Sequence, residues 1–417
     1  MFKKVILNTG AQITTKFITA STTFLITILI TRSLGKTGYG QFTLIFAFVG
    51  YFYTLGDFGL NNIFIKLSGE NHTNLFQSLF GLRLVLGFAL ALTAILVSQF
   101  LPYNPVTQIG FSPIIKIGIL IASLTIITQT LLTTANAYFQ LNLRYHLSTI
   151  AITIGSLLVL SFVAINSVLH PSLMAYVWAY VLGGAAFIIT AFYLIAAKLK
   201  QNIIPLFNIT EFKKLLTAAW PVGIALIFNL IYFRVDVFIL GTFRSAGEVG
   251  IYGLAYQFFE AALTIPIFFS NSLYPILSNL EKKNHQAYQK QIKFWAMLLS
   301  LLGVGLTISL VVVSLFIPLI FGQSFVQSQA SLQVLALGLP FFFISALLWH
   351  LVIINNRQKS LTIVYALGAA FNLIANLVFI PKFGYMAASV VTVISEILIT
   401  LLLLIALKYK QIAKAIY

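Results

Sequence analysis

The 417-residue chain has no cysteine, which excludes disulfides and thiolate metal sites and decides nothing else. Charge is the second shortage. Asp, Glu, Lys and Arg make up only 8% of residues, against roughly a quarter in a soluble domain. Acidic residues are scarcest, 8 against 25 Lys and Arg. No connection between apolar runs is long enough to fold as a domain. Membrane polymerases and lipid-dependent glycosyltransferases usually need a sizeable outer loop to handle the acceptor, so this absence speaks against them. There is no Gly-rich phosphate loop, HExxH or nucleophile elbow, and the 5 His are scattered through loops and span ends. No catalytic residue and no metal ligand is therefore nominated.

What is present is hydrophobicity, at 60% of residues, in apolar stretches of membrane-crossing length. The pattern predicts an all-α integral membrane protein with twelve transmembrane helices, at residues 13–33, 41–65, 78–100, 113–136, 147–169, 173–197, 215–241, 250–277, 294–317, 334–354, 361–380 and 384–407. Turn residues punctuate the gaps, among them Gly35, Gly38, Pro102, Pro105, Pro171, Gly322, Pro381 and Gly384. The first span follows Lys3 and Lys4 but no small-residue cleavage site ends it, so it is expected to remain a helix rather than a signal peptide.

The net charge of +17 and pI near 9.9 are cues for nucleic acid, but the basic residues form no basic face and sit between spans. With the N-terminus inside, seventeen fall on the cytoplasmic side: Lys3, Lys4, Lys66, Arg144, Lys198, Lys200, Lys213, Lys214, Lys282, Lys283, Lys290, Lys293, Arg357, Lys359, Lys408, Lys410 and Lys414. Only Arg32, Lys36, Arg244 and Lys382 fall outside. One missed or invented span would have destroyed this bias, so both termini are expected in the cytoplasm.

The longest connection divides the spans six and six: a lobe at residues 1–198, a basic cytoplasmic linker at 199–214 with room for a short interfacial helix, and a lobe at 215–417. Six is even, so related lobes would be parallel repeats with the substrate site at their interface. SLGKTGYGQF at 33–42 and FRSAGEVGIYG at 243–253 support the repeat: each joins two apolar segments and resumes with Gly-x-aromatic, 210 residues apart.

Charges inside spans mark transport pathways more often than packing. Lys16 lies in the first span, Asp57 in the second, Arg83 in the third, Arg234 and Asp236 in the seventh, Glu260 in the eighth and Glu396 in the twelfth. An Asp57–Arg83 pair is expected near the inner face. Lys16, Arg83 and Lys116 also fit plain snorkelling to headgroups. Arg234 and Asp236 are two residues apart and do not share a helical face, and either could pair with another helix. For Glu260 and Glu396, an inter-helix hydrogen bond competes with a proton-relay role. The functional alternative is a cationic cavity of Lys16, Arg83 and Arg234 for an anionic head group, because Arg donates bidentate hydrogen bonds to phosphate.

Three stretches then carry a resemblance: ITRSLGKTGYGQF followed by LGDFGL, FRVDVFILGTFRSAGEVGIYGLAYQFFEAALTIP running to LYPILSNLE, and FNLIANLVFIPKFGYMAASVVTVISE at 371–396 with Asn372, Asn376, Pro381 and Gly384. In this order the chain resembles the polysaccharide-biosynthesis flippases, the Wzx-type O-antigen and repeat-unit translocases of the MOP superfamily. The resemblance implies two pseudo-symmetric, MATE-like six-helix lobes in the bacterial cytoplasmic membrane. It implies a transporter, not an enzyme, that moves an undecaprenyl-pyrophosphate-linked oligosaccharide to the outer leaflet by alternating access. No cofactor is expected beyond coupling to H+ or Na+, with Asp57, Asp236, Glu260 and Glu396 in ion coupling or charge pairing. The expected partners are that polyprenyl-linked oligosaccharide, membrane lipids and a polysaccharide polymerase, and no nucleic acid. An ion-coupled multidrug exporter of the same superfamily and a membrane polysaccharide polymerase are the alternatives. A lipid II flippase fits less well, since those usually carry fourteen spans.

Overall fold

The computed structural model describes residues 2–68 and 72–416. The side chains of Lys3, Lys4, Lys408, Lys410 and Lys414, counted above among cytoplasmic charges, lie outside the described residues. The chain runs through α1 (Phe2–Asp57), α2 (Leu60–Leu67), α3 (His72–Gln99), a small hairpin of β1 (Tyr103–Asn104) and β2 (Ile109–Gly110), α4 (Pro113–Ala122), α5 (Leu124–Leu141), α6 (Tyr145–Leu169) and α7 (Leu173–Leu199). It continues through α8 (Ile209–Phe243), α9 (Ala246–Lys283), α10 (His285–Ser314), α11 (Ile317–Phe321), α12 (Val326–Ala336), α13 (Leu339–Ile354) and α14 (Gln358–Ile416).

Among the described residues, eight helices are long and apolar enough to cross a membrane, or up to ten if each of two bent pairs counts as one span. Two of the eight, Thr14–Leu67 and Gln358–Leu407, would each extend over roughly 75–80 Å at 1.5 Å per residue, far beyond a ~30 Å hydrocarbon core. Each has a glycine with non-helical backbone part-way along it, Gly35 at φ 63° and Gly384 at φ 62°. Those breaks fall between the first and second predicted spans and at the first residue of the twelfth.

The Gly384 turn is braced from another element. Arg244 Nε donates to Glu248 Oε1 at 2.9 Å and Arg244 Nη1 to the Pro381 carbonyl at 3.4 Å, while the Tyr385 amide donates to Glu248 Oε2 at 3.2 Å. The start of α9 is set by Ser245, whose hydroxyl accepts from the Glu248 amide, the Ser-x-x-Glu pattern of a capping box. A Cβ at Gly384 would press on Glu248 and lie 3.0 Å from Arg244 Nε, whereas one at Gly35 would meet open space. Gly35→Ala should therefore cost only the strain of a backbone conformation that is essentially glycine's alone (φ 63°, ψ −173°), about 1–3 kcal/mol. Gly384→Ala should cost more because the ion pair must also move, and thermal unfolding of the two variants in detergent compares them directly.

The structure differs from the expected spans and linker at several places, among them a 53° bend within the seventh span, between Ile209–Phe228 and Tyr232–Phe243. The second span is not continuous: α1 ends at Asp57, Phe58 and Gly59 adopt positive φ of 43° and 75°, and α2 resumes at Leu60. Non-helical backbone at membrane depth survives only where its polar groups find partners, and here the Phe58 amide donates to the Thr54 carbonyl at 3.0 Å while Arg83 donates to the Asp57 carbonyl at 3.4 Å. The tenth span falls across a 40° bend between α12 and α13. In the linker, residues 200–208 are non-helical and α8 begins at Ile209. The stretch expected to form a separate interfacial helix is thus split between extended chain and the first turns of α8.

The chain separates into two compact units, residues 1–230 and 231–417. In the first, α6 packs on α7 and on α1, and α3 packs on α5, around a core that includes Phe64, Phe76, Tyr138 and Phe139. In the second, α13 packs on α14, α10 and α9, around Leu277, Leu299, Phe343 and Leu347.

Candidate functional site

In the first unit the charged centre is Asp57–Arg83. Arg83, on α3, is fully buried and its Nη2 lies 2.9 Å from Asp57 Oδ1. The same guanidinium reaches Thr134 Oγ1 of α5 at 3.5 Å, and its Nε has no hydrogen-bond partner among the described residues. Asp57 occupies the last position of α1, so Arg83 holds both the side chain and the terminal carbonyl of a broken helix. A cation near a helix C-terminus is favourable because it meets unpaired carbonyls. Lys16 is exposed and forms no ion pair among the described residues. No contact joins Lys16 and Arg83 among the described residues: Lys16 is exposed, and Arg83 is committed to Asp57. Lys116 donates its ammonium to the Gln99 carbonyl at 3.0 Å, at the end of α3.

The second unit holds a denser polar interior. Arg234 on α8 and Glu260 on α9 form an ion pair at 2.5 Å with side chains 40% and 49% exposed. The guanidinium also stands 5.8 Å from the Tyr256 ring centre, within cation–π range. Asp236 turns the other way, as the two-residue offset requires, and is buried. It accepts from its neighbour's amide, Val237, at 2.7 Å and from the Tyr252 hydroxyl, which also lies 3.4 Å from Thr392 Oγ1 of α14.

One turn after Thr392 on α14 sits a second buried carboxyl. Glu396 accepts from the Tyr232 hydroxyl at 2.7 Å and from the Ser345 hydroxyl, which ties α14 to α8 and α13. No cation contacts it among the described residues. Asn372 donates to Ser395 at 3.1 Å and Asn376 to Asn372 at 2.9 Å, leaving the buried Asn376 Oδ1 without a hydrogen-bond partner among the described residues. The four candidate acids thus fall into two kinds of environment: Asp57 and Glu260 face arginines, Asp236 and Glu396 face hydroxyls.

Tyr232, Tyr252, Ser345 and Thr392 were not nominated from sequence. A signal was available. Tyr232 with Asp236, Tyr252 with Tyr256, Asn372 with Asn376 and Thr392 with Glu396 are each four residues apart, which puts each pair on one helical face. Polar stripes of this kind on apolar helices point inward, because lipid cannot satisfy them.

The fold is similar to solved transporters. Superposition on the lipid II flippase MurJ in an inward closed conformation gives a TM-score of 0.76 at 16% identity, covering 97% of this chain and 87% of that one. An inward-facing multidrug resistance MATE family transporter of the MOP superfamily gives 0.73 at 11% identity, covering 97% and 99%. In sequence, the chain is 24% identical to the uncharacterized membrane protein MJ1068 of Methanocaldococcus jannaschii over 413 residues, 90% of this chain and 78% of that protein. Residues 2–281 match the family described as polysaccharide biosynthesis protein, about two thirds of the sequence. The chain is a multi-pass membrane protein with the fold of the MOP-superfamily transporters, and it belongs to the polysaccharide biosynthesis protein family.

Proposed function

We propose that the protein is a flippase that carries a polyprenyl-pyrophosphate-linked oligosaccharide from the inner to the outer leaflet by ion-coupled alternating access. The observation that carries this is the Arg234–Glu260 pair: a guanidinium on a membrane helix, 40% exposed and held by an equally exposed carboxylate. An ion pair left half-open at bilayer depth is costly unless it meets water or an anionic ligand. A pyrophosphate can displace Glu260 because it offers the same bidentate acceptor geometry with more charge. The lipid tail stays in the bilayer throughout, so the protein shields only the head group and sugars.

Coupling to H+ or Na+ falls in this proposal to Asp236 and Glu396, the two of the four candidate acids with no ion-pair partner among the described residues. Removal of negative charge at either, by a proton or by a bound Na+, changes what Tyr252 or Tyr232 can donate to. That would alter the fit of α8 against α9 and α14. Glu396→Gln keeps a carbonyl acceptor and the side-chain size while removing the charge. Transport by Glu396→Gln should lose its dependence on the pH or Na+ gradient with little change in the amount of folded protein, whereas unaltered ion dependence would remove Glu396 from the mechanism.

The direct test is deletion of the gene followed by mass spectrometry of lipid-linked oligosaccharides, with the leaflet assigned by a glycosidase added from outside. Complete single repeat units trapped inside support the proposal. Units that reach the outer leaflet but fail to polymerise would instead indicate a polymerase. An unchanged pool would move the search to organic cations, as for the multidrug exporters that share the fold.

A further inference from the structure

We infer that residues 198–214 form a strap that lies in the membrane interface and binds anionic phospholipid headgroups. The segment leaves α7 through Lys200, whose φ of 51° ends that helix. It then crosses α3 as extended chain. Gln77 of α3 does the work of a neighbouring strand: its Nε2 donates to the Ile204 carbonyl at 2.9 Å and its own carbonyl accepts from the Leu206 amide at 3.0 Å. The Leu206 carbonyl rests where a side chain at Gly81 would stand. The buried Gln201 accepts from the Tyr138 hydroxyl at 2.9 Å and the Thr73 hydroxyl at 3.4 Å. At the far end the Asn208 side chain accepts from the Thr210 amide at 3.0 Å and the Glu211 amide at 3.3 Å, which starts α8. The strap is therefore built, with backbone groups of Ile204 and Leu206 held against α3.

What it leaves outward includes large apolar side chains beside the polar Asn202, Asn208 and Thr210. Ile204 is 63% exposed, Phe207 65% and Ile209 81%, on a segment placed against the first turns of the third predicted span. Three exposed lysines, Lys198, Lys200 and Lys213, flank these side chains and have no ion-pair partner among the described residues, while Lys214 pairs with Glu211 at 3.5 Å. Inside-positive topology accounts for lysines here but calls for no row of exposed large apolar side chains. Apolar side chains in the acyl boundary with lysines at phosphate level is the arrangement of an interfacial anchor. Each lysine close to an anionic surface is worth about fivefold in local preference for such lipid, so the occupant is an anionic phospholipid rather than a zwitterionic one.

Because the chain has no cysteine, Phe207→Cys supplies a single thiol for a nitroxide in the full-length protein. The label is compared in nanodiscs of phosphatidylcholine alone and of phosphatidylcholine with phosphatidylglycerol, with Gln286→Cys, exposed at the start of α10 and outside the strap, as a water-facing reference. The expected result is a label at position 207 that oxygen reaches and a water-soluble nickel chelate does not, and that moves deeper when phosphatidylglycerol is present. The combined Lys198→Glu, Lys200→Glu and Lys213→Glu substitution should abolish that lipid dependence while the protein still elutes as a monodisperse peak. Equal depth in both lipids would overturn the headgroup assignment, and full access of the nickel chelate at position 207 would overturn the strap itself.

Discussion

Asp57→Ala should destabilise the protein by about 3–5 kcal/mol, the usual cost of stripping the partner from a buried charge. Arg83→Met should cost less, about 1–3 kcal/mol. The asymmetry follows from burial. Arg83 is 0% exposed and Asp57 32%, so an orphaned guanidinium stays dry whereas an orphaned carboxylate can reach water. The double variant supplies the decisive comparison: with both charges gone it should be more stable than Asp57→Ala alone, as expected when two substitutions share one interaction. Heating the purified variants in detergent and following the loss of the monodisperse peak ranks all three. If Asp57→Ala matched the parent, the pair would not be what holds the broken end of α1.

At Arg234 the expectation is reversed, with a large loss of transport and little loss of stability. Both members of the Arg234–Glu260 pair are about half exposed, and such pairs contribute about 0–1 kcal/mol to stability. Losing a charged contact to a bound pyrophosphate costs about 2–4 kcal/mol, so Arg234→Ala should slow translocation roughly 30- to 1000-fold. Arg234→Lys keeps the charge but not the two-pronged geometry and should fall between. Equal amounts of folded protein across the three, with transport falling from Arg to Lys to Ala, is the pattern that separates a substrate contact from a structural one. Full activity in Arg234→Ala would exclude the site.

The apolar runs and the in-span charges were readable from sequence because a bilayer tolerates so few alternatives. A charge inside a long apolar run is conspicuous without knowledge of its neighbours. The break at Phe58–Gly59 was not readable, because LGDFGL sits within a long apolar run and its two glycines, among 26, carry no label. Its cause is a partner distant in sequence, the Arg83 guanidinium on the exposed carbonyl. The tyrosines around Asp236 and Glu396 were hidden by abundance: with 18 Tyr and 38 Phe, two of them at helical spacing from an acid look like packing. The strap was obscured differently. Its lysines were counted for topology, while the glutamine that pins it, Gln77, lies inside a hydrophobic helix and has no local signature.

The most direct test is translocation by the purified protein in liposomes loaded on the inner leaflet with a polyprenyl-pyrophosphate-linked oligosaccharide. Appearance of the sugar to a glycosidase outside, driven by an imposed H+ or Na+ gradient and lost in Arg234→Ala, is the predicted result. Sugar that remains protected with the native protein under both gradients, while an organic cation is moved, would contradict the account.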